Sequence, residues 1–129
     1  MGGANSDNGF GIAVDGSGNV YTTGTFRGTA DFDPGADAVN LTSSGGIDIF
    51  VSKLDSNGIF VWAKRIGGSS SDTRRSIAVD SSDNVYITGN CEGTVDFDPG
   101  IGVSNVSDLT SSGSRDVFVS KLDSDGGFV

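Results

Sequence analysis

The sequence predicts an all-β fold made of two consecutive copies of one unit, each a small antiparallel sheet. Three observations carry this. The chain repeats itself: residues 2–35 realign on 67–100 at an offset of 65 with 21 of 34 positions identical, and 41–61 realign on 109–129 at an offset of 68 with 16 of 21 identical. The composition holds 21 glycines in 129 residues, only 35% hydrophobic residues and no helix-favouring run, which fits short strands joined by many turns. The apolar residues gather in short β-branched and aromatic runs bounded by turn residues. Repetition on this scale means that one unit cannot bury its faces alone and must stack on another.

Each copy reads as four strands. In the first they cover 10–15, 19–24, 48–54 and 59–66; in the second, 75–80, 84–89, 116–122 and a shortened 127–129. Short hairpin connections lie at Asp15-Gly16-Ser17-Gly18-Asn19, Asp80-Ser81-Ser82-Asp83-Asn84, Asp55-Ser56-Asn57-Gly58 and Asp123-Ser124-Asp125-Gly126, where Asn-Gly and Asp-Gly tolerate the positive φ of tight hairpins. Between the second and third strands runs a longer segment, 25–47 and 90–115, which contains the three-residue length difference between the copies. That difference marks it as a surface loop.

The runs Ile12-Ala13-Val14 and Ile49-Phe50-Val51-Ser52-Lys53-Leu54 place apolar residues on both parities. Strands apolar on both faces must be covered on both faces. A four-stranded sheet covered above and below by further sheets is the blade of a β-propeller. The predicted fold class is therefore all-β, with two four-stranded antiparallel propeller blades per chain. Residues 1–66 form the first and 67–129 the second, whose outer strand is truncated. The chain begins and stops in mid-repeat, so it reads as a piece of a longer array or as a small protein whose ends fall within a unit.

The runs Ile12-Ala13-Val14-Asp15-x-x-x-Asn19-Val20-Tyr21-x-Thr23-Gly24 and Asp48-x-Phe50-Val51-Ser52-Lys53-Leu54-Asp55-x-x-Gly58, with the trailing Trp62-Ala63-Lys64-Arg65-Ile66-Gly67-Gly68, resemble the bacterial β-propeller repeats of the SBBP type. The resemblance covers nearly the whole chain. It implies a propeller fold, a secreted or cell-surface setting, and no common catalytic residues. The chain departs from the family in having two units, whereas propellers close with four to eight or more blades.

Composition narrows the function further. Eight basic residues against 17 acidic ones give a net charge of −9, a field that repels nucleic acid and anionic membranes. No run approaches the 18 apolar residues of a membrane span, so no membrane insertion is expected. The first residues lack the basic and apolar regions of a signal peptide, which leaves localisation to what the resemblance implies. Histidine is absent, which removes a histidine base, a Ser-His or Cys-His nucleophile and a histidine zinc ligand. Cys91 is the one cysteine and has no disulfide partner. Its counterpart is Phe26, so the position reads as a buried apolar site. A carboxylate-pair enzyme requires two facing carboxylates in a cleft, and the sequence offers no sign of one. The chain is not expected to be an enzyme.

The aspartates are the remaining chemistry. Asp31 and Asp33 in Asp31-Phe32-Asp33-Pro34-Gly35, with Asp96 and Asp98 in Asp96-Phe97-Asp98-Pro99-Gly100, offer oxygens at alternate positions to a hard cation, and Ca²⁺ is the candidate cofactor. The same residues also build a turn, with proline presetting φ, glycine supplying positive φ and Phe32 anchoring the loop. Asp55 and Asp123 open calcium-like runs that double as hairpin turns. Asp15, Asp80, Asp48 and Asp116 stand where a carboxylate caps turn amides. Asn40-Leu41-Thr42 and Asn105-Val106-Ser107 match the glycosylation triplet by chance. Trp62, Tyr21 and Tyr86 read as strand core, with sugar stacking as the other reading.

Two blades leave two open apolar faces and unpaired strand edges, more than a soluble monomer tolerates. The expected partner is the chain itself, joined head to tail as a trimer of six blades or a tetramer of eight. The expected function is a non-enzymatic structural or interaction scaffold. The alternative is a calcium- or glycan-binding module of a bacterial cell-surface or secreted protein, with a glycan or protein as ligand.

Overall fold

The computed structural model describes residues 1–97 and 108–129. The first copy supplies β1 (Gly2–Gly3), β2 (Asn8–Val14), β3 (Val20–Phe26), β4 (Thr29–Asp31), β5 (Asn40–Thr42), β6 (Asp48–Leu54) and β7 (Phe60–Gly68). The second supplies β8 (Thr73–Val79), β9 (Val85–Cys91), β10 (Thr94–Asp96), β11 (Asp108–Thr110) and β12 (Asp116–Leu122). No helix occurs among the described residues. Strands β2, β3, β6 and β7 form an antiparallel four-stranded meander, lengthened past β7 by β10 and β11 into a six-stranded sheet. Strands β8, β9 and β12 form the matching sheet of the second copy. Its fourth position holds only an isolated bridge between Leu122 and Phe128, the counterpart of Leu54 opposite Phe60 in β6 and β7.

The long segment after β3 is not a plain surface loop. It folds back as a two-stranded ribbon, β4 on β5 and β10 on β11. The ribbon is tied by threonine hydroxyls, Thr29 to Thr42 and Thr94 to Thr110, each at 2.8 Å. Each ribbon then pairs with a glycine pair: β4 with Gly2 and Gly3, β10 with Gly67 and Gly68. Glycine is needed here because a Cβ on Gly3 or Gly68 would run into the Thr29 or Thr94 carbonyl. Strand β7 therefore changes partner along its length. Ile66 still pairs with Ile49 of β6, whereas Gly67 pairs with Asp96 of β10.

The two sheets stack face to face. One face of the first sheet, carrying Tyr21, Ile49, Val51, Trp62 and Ile66, packs on Ile77, Val85, Ile87, Cys91, Phe118 and Leu122 of the second, with Val95 and Phe97 from its ribbon. This is the main core. Burial of each large apolar side chain there stabilises by roughly 1.5–3 kcal/mol. A smaller core of Phe26, Ala30, Phe32 and Phe50 lies on the other face of the first sheet, beneath its own ribbon. Strand β6 is thus covered on both sides, and residues 48–52 are all buried, as the two-sided apolar pattern predicts. Strand β12, with almost the same sequence, is covered on one side only.

Candidate functional site

The repeated aspartates fall at strand ends, where chain reversals leave amides without strand partners. Asp15 follows β2, and its Oδ1 accepts the N–H groups of Ser17 and Asn19, each at 2.9 Å. Its Oδ2 accepts Asn19 Nδ2 at 2.7 Å and the Tyr21 hydroxyl at 3.1 Å. Asp80 repeats the set with Ser82, Asn84 and Tyr86. The Asp-x-x-x-Asn-x-Tyr spacing is therefore a hairpin lock: carboxylate, amide and phenol close one turn. Burial raises the Asp15 pKa, yet its hydrogen bonds to Asn19, Ser17 and Tyr21 outweigh that and hold it below the ordinary value. At Asp80 the Asn84 side chain leads in pulling the carboxyl down to about 2. Burial, with Asp15 beside it, pushes the Tyr21 phenol up. Carboxylates kept ionised at Asp15 and Asp80, and a phenol kept neutral at Tyr21, are suited to holding a turn.

Asp55 and Asp123 lock the next hairpin, Asp55 through the N–H groups of Asn57 and Ile59, Asp123 through those of Asp125 and Gly127. Asp48 and Asp116 accept the N–H groups of Ser44 and Ser112. Asp48, fully buried, also pairs with Arg65 at 2.8 Å.

Of the candidate calcium ligands, Asp31 accepts the N–H groups of Asp33 and Val39 at 3.0 and 2.9 Å through one oxygen. These bonds hold its carboxyl below the usual range. Asp33 accepts the Gly35 N–H at 2.7 Å. Asp96 sits in β10, facing Gly67 and Asp108 across the ribbon. Asp98 lies outside the described residues, as does the triplet at Asn105. Among the described residues, no three His, Cys, Asp or Glu side chains gather as a metal site. Phe32 is wedged between Phe26 and Phe50, with ring centroids 5.3 and 4.8 Å away, and Phe97 meets Phe118 at 4.8 Å. Trp62 lies edge-on to Tyr21 in the stacked interface, and Cys91 is buried.

Sequence reasoning missed Asp72. It is fully buried in the link between the sheets and joins three segments. Its N–H donates to the Ile47 carbonyl, while its carboxylate accepts the Gly68 and Glu92 amides. Burial first, then Asp48 and Glu92, push its carboxyl up to about 6. The signal available was its recurrence at the offset of 65, as Asp7.

The two outward faces are the largest chemical feature left. On the first sheet Phe10, Ile12 and Val14 of β2 are 61%, 70% and 59% exposed. On the second, Val117 and Val119 of β12 are 75% and 73% exposed. A shallow depression of about 290 Å³ opens on that second face, lined by Ser76, Ala78, Tyr86, Thr88 and Val119 among others.

Residues 2–25 and 61–94 match the family model of the SBBP beta-propeller repeat. An uncharacterized WD repeat-containing protein, L264, of Acanthamoeba polyphaga mimivirus is 32% identical over 103 residues, 69% of this chain. The chain spans 7% of the length of that curated relative. Family and relative together point to a repeat scaffold.

Proposed function

The chain carries SBBP beta-propeller repeats, and on that premise we propose that it is a non-enzymatic structural or interaction scaffold that assembles with copies of itself, head to tail, into a closed propeller. One observation carries the reading. The face of the first sheet that holds Tyr21, Ile49 and Val51 is sealed by the second sheet, while the equivalent face of the second sheet, at Tyr86, Val117 and Val119, is open. A surface that one copy buries completely is apolar because it is meant to be covered. Hydrogen bonds to backbone amides occupy Asp15, Asp31, Asp33, Asp48, Asp55, Asp80, Asp116 and Asp123, which supports a structural duty for them.

Analytical ultracentrifugation tests this. The expected species is three or four times the 13.1 kDa chain mass, giving six or eight blades. A stable monomer at all concentrations would overturn the proposal. Calorimetry with Ca²⁺ on the same sample separates the scaffold from the calcium-binding alternative. The scaffold reading expects no heat, because Asp31 and Asp33 already accept backbone amides. Heat that disappears in the Asp31→Ala, Asp96→Ala double variant would make the ribbon a metal site instead.

A further inference from the structure

The contact between the two sheets supplies a template for a contact between chains. Besides its apolar core it has polar ties, three of them among the described residues. Lys53 Nζ and Trp62 Nε1 of the first copy both donate to the Ser124 carbonyl of the second, each at 3.1 Å. The Asp72 N–H donates to the Ile47 carbonyl at 2.8 Å. The turn at Gly126 packs on Trp62, close enough that an added Cβ would approach its ring at 3.1 Å.

Several partners in this contact have a counterpart on an open face, although Trp62 and Ile66 have none within the 129 residues. Tyr86, Thr88, Val117, Val119 and Lys121 repeat Tyr21, Thr23, Ile49, Val51 and Lys53, and they line the open face of the second sheet. Lys121 already sits over the Tyr86 ring at 5.6 Å, as Lys53 sits over Tyr21 at 5.1 Å. Ile12 and Val14 repeat Ile77 and Val79, and they line the open face of the first sheet. The second sheet thus exposes a seat, and the first exposes the surface that fills such a seat.

We propose, building on the scaffold reading above, that a second copy docks its Ile12–Val14 face onto the Tyr86–Val117–Val119 face in the register already used inside the chain. The register fixes two polar contacts between copies. Lys121 Nζ donates to the Ser56 carbonyl of the incoming copy, as Lys53 does to Ser124. The Asp7 N–H of the incoming copy donates to the Arg115 carbonyl, as that of Asp72 does to Ile47. The contact is heterologous, because seat and insert are different surfaces, so it propagates from copy to copy.

A complementation experiment tests this. Ile12→Asp spoils the insert and keeps the seat; Val119→Asp spoils the seat and keeps the insert. Both positions are exposed in the chain, so the variants should keep wild-type circular dichroism. Each alone is expected to sediment as a monomer, and an equimolar mixture as a one-to-one dimer that grows no further. The milder pair Ile12→Ser and Val119→Ser should give the same pattern with weaker loss, and serves if an aspartate variant fails to fold. Assembly by either aspartate variant alone, or a mixture that stays monomeric, would overturn this docking while leaving self-assembly standing. A wild-type chain that never assembles overturns the scaffold reading itself.

Discussion

Val51 and Val119 occupy the same place in two identical runs, Phe-Val-Ser-Lys-Leu at 50–54 and 118–122. One is fully buried and the other is 73% exposed. Ile12 and Ile77 make the reverse pair, 70% exposed against 9%. Burial in this fold is therefore not written in the residue or its local run. It is set by whether another sheet lies on that side, which only position in the stack decides.

The two faces should differ most in energy at the isoleucines. Ile77→Ala removes a side chain from the main core and should destabilise by about 2–4 kcal/mol. Ile12→Ala should cost under about 0.5 kcal/mol in the monomeric chain. Denaturant midpoints measure the difference. Equal losses would mean that the two faces are already equivalent in solution, because assembly covers both.

The next effect is electrostatic. The Asp72 carboxyl titrates near 6 when folded, against 3.8 as its ordinary value. A group raised in the folded state contributes stability that is complete below the ordinary value and is lost as pH rises through the folded one. Folding stability, followed through the thermal midpoint, should accordingly fall between about pH 4 and pH 7, by on the order of 3 kcal/mol. Asp72→Asn should flatten that slope. A slope that survives the substitution would place the titration elsewhere.

The hairpin locks should differ less. Tyr21→Phe leaves Asp15 without its phenol inside the stack and should cost about 1–2 kcal/mol. In the unassembled chain Tyr86→Phe performs the same deletion beside solvent and should cost less than half as much. Chemical denaturation of both variants checks the ratio.

Much of this architecture is legible in the sequence because strands of seven residues with Asp-Gly or Asn-Gly turns have strong signatures. The pairing of β2, β3, β6 and β7 follows from them. The ribbons are not legible: β4, β5, β10 and β11 are three residues each, too short for alternation to register, and their partners are glycine pairs with no side chains to pattern. The aspartates are legible as recurring and as turn-forming. Which backbone amides each holds is not, since Asp31 reaches Val39 eight residues away, and Asp72 reaches Glu92 in another hairpin. The role of Asp72 depends on three segments meeting in space, which no local spacing encodes.

Strand β7 has a consequence for how such an array comes apart. Residues 60–66 close one sheet and residues 67–68 hold the ribbon of the next, so the unit of sequence and the unit of space are out of phase. Melting one sheet strips its neighbour of a backbone partner, in addition to uncovering a face. Adjacent units are then cooperative through a continuous covalent strand, and stability grows with the number of units joined rather than with the quality of any one. An isolated repeat cut at its sequence boundary would lose backbone pairing as well as its cover.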